Sequence, residues 1–170
     1  TIFSLLELGI GSAITYALYL PISEKDDFKI AALMKFYKKA YRIIALIVFL
    51  FGTILIPFLN KIVTNAPAIS ESLVSIYVLF LLNTVFSYLL IYKSTLLVAA
   101  QKQYLISKIR ILITILITII QAVVLIIFKQ YLLYLILGIL STIAQNALIS
   151  RKASKMFPEI DNIKNINLGR

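Results

Sequence analysis

One carboxylate and a handful of amides stand inside stretches that are otherwise apolar: Glu7, Asn83, Gln121, Gln145 and Asn146. A carboxylate among such neighbours is costly, about 2.5–3.5 kcal/mol for an Asp at the centre of a membrane helix, so it needs a cation, water or a bonded partner. Glu7 therefore has two readings. Either it faces a cavity and titrates or binds a coupling ion, or it makes a structural hydrogen bond to an adjacent helix. Gly9 and Gly11, just beyond it, permit a local bend or close helix packing. Amides both donate and accept, which suits sugar hydroxyls; the competing reading is an interhelical hydrogen bond worth about 0.6 kcal/mol. Asn83 and Gln121 join Glu7 as candidates for a substrate or ion pathway, while Gln145 and Asn146 sit nearer one end of their span. Tyr16, Tyr19, Tyr88 and Tyr92 either stack on sugar rings or anchor span ends at the interface. With no Cys and no His in the chain, no thiolate, Ser–His–Asp, Cys–His or zinc-protease arrangement exists, and no P-loop is present. The expectation is a protein that is no enzyme and carries neither metal nor cofactor.

These residues are positioned by five apolar spans: 1–22, 43–59, 73–92, 111–128 and 131–149. The hydrophobic fraction is 61%, against roughly 45–50% in soluble domains. Each span has about the length that a helix needs to cross the hydrocarbon. Backbone groups in lipid must be satisfied within the segment, so these Ile- and Val-rich spans are predicted to be helices. None shows the short alternating segments of a membrane barrel. The fold class is thus all-α integral membrane protein with five transmembrane helices. Residues 1–150 form the helix bundle and 151–170 a cytoplasmic tail or linker.

Of the 17 Lys and Arg residues, all but Lys61 and Lys129 fall in the segments 23–42 and 93–110 or in the tail. Such alternation obeys the positive-inside rule and puts residue 1 outside and residue 170 in the cytoplasm. The net charge of +10 is then a matter of topology and of anionic lipid, and nucleic acid is excluded as a partner. Arg42, Lys93, Lys102 and Arg110, with Gln101, border the predicted inner mouth. They either draw in a phosphate headgroup or merely anchor topology. Phe28–Tyr41 reads as an amphipathic segment lying along the inner leaflet, with Tyr37 and Tyr41 at the interface. Pro21 is placed where the first helix stops, and Pro57 ends the second span as a hinge or packing residue. The chain opens within an apolar helix without an initiator Met and is expected to be an internal fragment.

Several phrases resemble the Wzx-type polysaccharide flippases of the multidrug/oligosaccharidyl-lipid/polysaccharide exporter superfamily. They are Glu7-Leu-Gly-Ile-Gly-Ser-Ala13, Tyr19-Leu-Pro-Ile-Ser-Glu-Lys25 and Phe36-Tyr-Lys-Lys-Ala-Tyr-Arg42, followed by Ser87-Tyr-Leu-Leu-Ile-Tyr-Lys93 and Leu96-Leu-Val-Ala-Ala-Gln-Lys-Gln-Tyr104. Gln145-Asn146 and Met156-Phe-Pro158 complete the set, which covers nearly the whole chain. The resemblance implies a parent of about 12 to 14 helices in two bundles around a cavity, this chain being most of the N-terminal bundle. It implies a flippase of the bacterial plasma membrane that moves undecaprenyl-pyrophosphate-linked oligosaccharide units for capsule, exopolysaccharide or O-antigen. The implied partners are that polyprenyl-pyrophosphate-linked oligosaccharide, membrane lipid and a coupling ion whose site no motif fixes. The alternatives are a multidrug exporter of the same superfamily, a membrane-embedded polysaccharide polymerase or ligase, and a non-transporting scaffold. A polymerase calls for a large outer loop with catalytic Arg or His, which the short outer loops lack.

Overall fold

The computed structural model describes residues 2–63 and 72–158, with side chains from Gly11 onward except those of Asn60 and Ile62. Among these residues every regular element is helical. The long helices are α1 (Ile2–Glu24), α2 (Asp27–Leu55), α4 (Leu73–Ala99), α5 (Gln103–Phe128) and α6 (Tyr131–Met156). A short turn at Ile56–Phe58 and the one-turn helix α3 (Leu59–Ile62) follow α2. Four helices are long and apolar enough to cross a membrane: α2 with its terminal turn, α4, α5 and α6. These mark a multi-pass membrane protein. The N-terminal half of the first expected span, most of the loop 60–72 and the tail beyond residue 158 lie outside the residues whose side chains are described.

The helices overrun the apolar spans at the end where the basic residues cluster. The basic segments 23–42 and 93–110 are almost entirely helical, and only Lys25–Asp26 and residues 100–102 break the helices there. Lys25 and Gln101 make these breaks tight by adopting φ of 54° and 57°, and Lys129 does the same between α5 and α6 at 51°. The left-handed region costs a non-glycine residue roughly 1–2 kcal/mol, which the surrounding helix packing must over-determine. At 29 residues, α2 is about 43 Å long, well beyond a hydrocarbon layer of about 30 Å. Its first turn is capped by Asp26, whose carboxylate accepts from the Lys29 backbone N–H at 3.0 Å.

The expected amphipathic segment does not lie apart on the leaflet. It continues straight into the second span as one helix, because Ile30, Met34, Tyr37, Tyr41 and Ala45 form a single buried stripe at helical spacing. That stripe packs on Ile14 and Leu18 of α1 and on Tyr88, Leu96 and Ala99 of α4. Tyr37 and Tyr41 accordingly leave the interface and enter the core, 1% and 3% exposed. Their hydroxyls allow this by bonding to one another at 2.8 Å, while Thr95 Oγ1 donates to Tyr37 Oη at 3.2 Å. Nor does Pro21 end α1. The helix runs on to Glu24, and the Pro21 carbonyl accepts from the Asp26 N–H at 2.9 Å.

Helix α4 is the centre of the bundle, touching α1, α2, α5 and α6. Its most extensive partner is α6, which runs parallel to it, and α5 covers the outside of α6. A second small core joins Leu97 to Ile106, Ile149 and Ala153. Both cores lie toward the basic end. Toward the far end, α2 and α4 touch chiefly at Gly52, whose carbonyl accepts from Tyr77 Oη at 2.8 Å and whose missing side chain makes room for Leu81.

Candidate functional site

Polar groups in this bundle fall into two places, one at each level of the helices. The first is a cleft of about 250 Å³ among α4, α5 and α6, toward the far end. Asn83 of α4 and Gln121 of α5, two amides on consecutive helices, both line it. Leu79 and Phe80 of α4, and Tyr131, Tyr134, Leu135, Gly138 and Ile139 of α6, complete its wall. The α6 residues reach it because 131, 134/135 and 138 share one helix face. Gln121 is held by donating from Nε2 to the Tyr134 carbonyl at 2.9 Å. The Tyr131 and Tyr134 rings stack with centroids 5.8 Å apart and planes at 11°. Asn83 Oδ1 is buried and accepts no hydrogen bond. Among the described residues no charged side chain lines the cleft.

The second place is the basic end. The antiparallel course of α1–α2, α2–α4 and α5–α6 gathers there the last turns of α1, α4 and α6 and the first turns of α2 and α5. Lys93 Nζ donates to Ser154 Oγ at 2.6 Å, tying α4 to α6. Lys38 Nζ sits 5.5 Å from the centre of the Tyr92 ring, a cation–π contact across α2 and α4. Tyr92 is thus engaged with a cation, and Tyr88 lies in the core with its ring 6.1 Å from that of Tyr41. Tyr16 and Tyr19 pair edge to face at 5.7 Å on an exposed face of α1. A broad open groove of about 610 Å³ runs between the end of α1 and the α4–α5 turn, lined by Tyr19, Ser23 and Gln101 among others.

Asn83 and Gln121 are brought together by the structure. Arg42, Lys93, Lys102 and Arg110 all lie toward the basic end; among the described residues none of them lines either cavity, and Arg42 and Arg110 are exposed on different helices. Glu7 and Gly9 lie on α1 outside the residues whose side chains are described. Helix α1 passes Gly11 unbroken, and a Cβ there would stand 3.5 Å from Tyr37 Oη and 3.9 Å from Tyr41 Oη, so the position abuts the hydroxyl pair. Pro57 occupies the short turn after α2, exposed, where its missing N–H costs nothing. Gln145 donates to Ser141 Oγ at 3.0 Å and to Thr114 Oγ1 at 3.3 Å, which makes it an interhelical tie between α6 and α5. Asn146 is buried.

Sequence reasoning missed the Tyr131–Tyr134 stack and the buried Tyr37–Tyr41 pair. Spacings of three and four residues on a helix were the available signal, since such pairs face each other. Outside the spans, the Lys29 side chain pairs with Asp26 at 2.9 Å. Its hydrogen bond lowers the Asp26 carboxyl below 3.8, and the same bond raises the Lys29 ammonium above 10.5. Among the described residues no group of His, Cys, Asp and Glu is placed to hold a metal ion. Comparison with family models, with curated proteins and with solved structures found no match.

Proposed function

We propose that this chain is a helix bundle of a transporter that flips polyprenyl-pyrophosphate-linked oligosaccharide across the bacterial plasma membrane. The basic end lies in the cytoplasm, and α1 is a fifth crossing that puts residue 1 outside. The bundle is one of two that rock about a site near the midplane, with the prenyl chain left in the bilayer. No bond is made or broken, so the protein is no enzyme. The observation that carries the reading is the shared cleft of Asn83 and Gln121 inside otherwise apolar helices. Polar groups at such depth are expensive in a lipid-facing scaffold and belong to pathways in transporters. The phrases resembling flippases and the clustering of cations at one end support it further, since those cations draw anionic headgroups to that face.

Depletion of the protein in its host tests the reading. Lipid-linked repeat units then accumulate on the inner leaflet, surface polysaccharide falls, and sensitivity to cationic drugs stays the same. Unchanged polysaccharide with increased drug sensitivity would replace the reading by that of a multidrug exporter.

A further inference from the structure

The cleft of α4, α5 and α6 has a depth, a size and a charge that together narrow its occupant. Asn83 lies ten residues along α4 from Leu73, about 15 Å from the far end. Gln121 lies seven residues before Phe128 on α5, and Gly138 seven after Tyr131 on α6, about 10 Å from the same end. In a hydrocarbon layer of about 30 Å, Asn83 therefore stands at the midplane. Headgroups of resident lipids stay outside that layer, so a donor that reaches Asn83 is either water or a molecule in transit. The cleft, about 250 Å³, is smaller than the roughly 300–1,000 Å³ of pockets for drug-sized ligands, and so admits one ring and no chain of rings. With no cation on its wall, it gives a pyrophosphate no partner in a medium of low dielectric. What it does offer is a buried amide oxygen without a bond, beside Phe80, Leu135 and a stacked tyrosine pair.

We propose that this cleft is a midplane station for the neutral part of the cargo: one hydroxylated sugar ring that donates to Asn83 Oδ1 while its apolar face rests on Phe80 and Leu135. The pyrophosphate remains outside the cleft, so sugar and phosphate are recognised at separate places. Gln121, pinned to the Tyr134 carbonyl, shapes the wall and keeps the stacked rings in register. The proposal rests on the transport reading given above.

The chain has no Trp, so Phe80→Trp makes a single reporter in the cleft wall. The protein in nanodiscs is titrated with a short prenyl-diphosphate-linked hexose, and separately with the same prenyl diphosphate lacking the sugar. The expected result is a saturable change in Trp emission with the hexose lipid at about fivefold tighter affinity, as for one added hydrogen bond. Asn83→Leu in this background abolishes the preference, because it removes the acceptor Oδ1. Equal responses to the two lipids would mean that the prenyl chain fills the cleft; no response to either would mean that only water does. Retention of the preference in Asn83→Leu would show that its amide oxygen is not the acceptor. Each of these three results overturns the proposal. A flipping measurement with the same hexose lipid in vesicles separates the two readings. Binding without flipping sinks the transporter and spares the cleft, whereas flipping with a silent Trp does the reverse.

Discussion

The basic half and the far half of the bundle are built on opposite plans. In the basic half, α1, α2 and α4 meet through a continuous buried stripe, and tyrosine hydroxyls are satisfied by one another. In the far half, among the described residues, α2 meets α4 at the Gly52–Leu81–Tyr77 clasp, and α4, α5 and α6 enclose a cleft. Large apolar residues of α5 such as Ile115, Ile119 and Ile126 are exposed there, 56%, 60% and 75%. Lipid solvates such side chains as well as protein does, so packing and hydrogen bonds, not burial, decide where helices hold. The half outside or at the edge of the hydrocarbon still gains from removing apolar surface from water. The lesson is that one chain uses two kinds of adhesion, divided by depth.

Substitutions can break that contrast. Tyr37→Ala should have the largest effect, a loss of about 3 kcal/mol or more, since it empties a core position and removes the hydroxyl that Tyr41 and Thr95 both bond; steric-trap unfolding in bicelles measures it. Gly52→Val comes next, at about 1–3 kcal/mol, because a branched side chain there overlaps Leu81 and wedges α2 from α4. Disulfide trapping of cysteines placed on α2 and α4 beside the clasp should then slow, while trapping at the basic end is unchanged. Tyr37→Phe keeps the packing and deletes the central hydroxyl, for about 1 kcal/mol. Ile126→Ala, on the exposed face of α5, should change stability by less than about 0.5 kcal/mol. A large loss there would mean that α5 is covered by protein, and the contrast between the halves would fall.

The smallest effect is a local one of pH on the first turn of α2. The Asp26 carboxyl is lowered, so its contribution is complete above pH 3.8 and is lost as pH falls through its folded value. The Lys29 ammonium is raised, so its contribution is complete below pH 10.5 and is lost as pH rises through its folded value. The protection of the amides in that turn, once the intrinsic pH dependence of exchange is divided out, should therefore be flat between these limits and fall outside them.

Much of the fold was legible because apolar length is a direct signal of a helix in lipid. The spans 111–128 and 131–149 end and begin where α5 and α6 turn, at Lys129–Gln130. What was not legible was where helices stop on the basic side. Lys35, Lys38 and Arg110 mark the edge of the apolar spans, but charge at an edge does not tell whether a helix stops, and α2 and α5 run through it unbroken. The tyrosines misled for a related reason. Tyr41 has the residue type of an interface anchor, but Tyr37, one turn earlier on α2, bonds its hydroxyl, and α1 and α4 pack around the pair and bury it. For the site, the residue types of Asn83 and Gln121 were visible in the sequence. Their convergence was not, since it depends on α6 packing parallel to α4 and presenting Tyr134 and Gly138 between them.

The link between α5 and α6 bears on how the protein is made. Two residues, Lys129 and Gln130, join helices of 26 residues each, with Lys129 in the left-handed region. A connection so short leaves no slack for one helix to settle in the bilayer before the other is synthesised. The pair must leave the translocon together, folded back on itself, with the ammonium of Lys129 at the leading tip. On the proposed orientation that charge crosses the whole hydrocarbon layer once, during biogenesis, carried by the mutual satisfaction of two helices rather than by either alone.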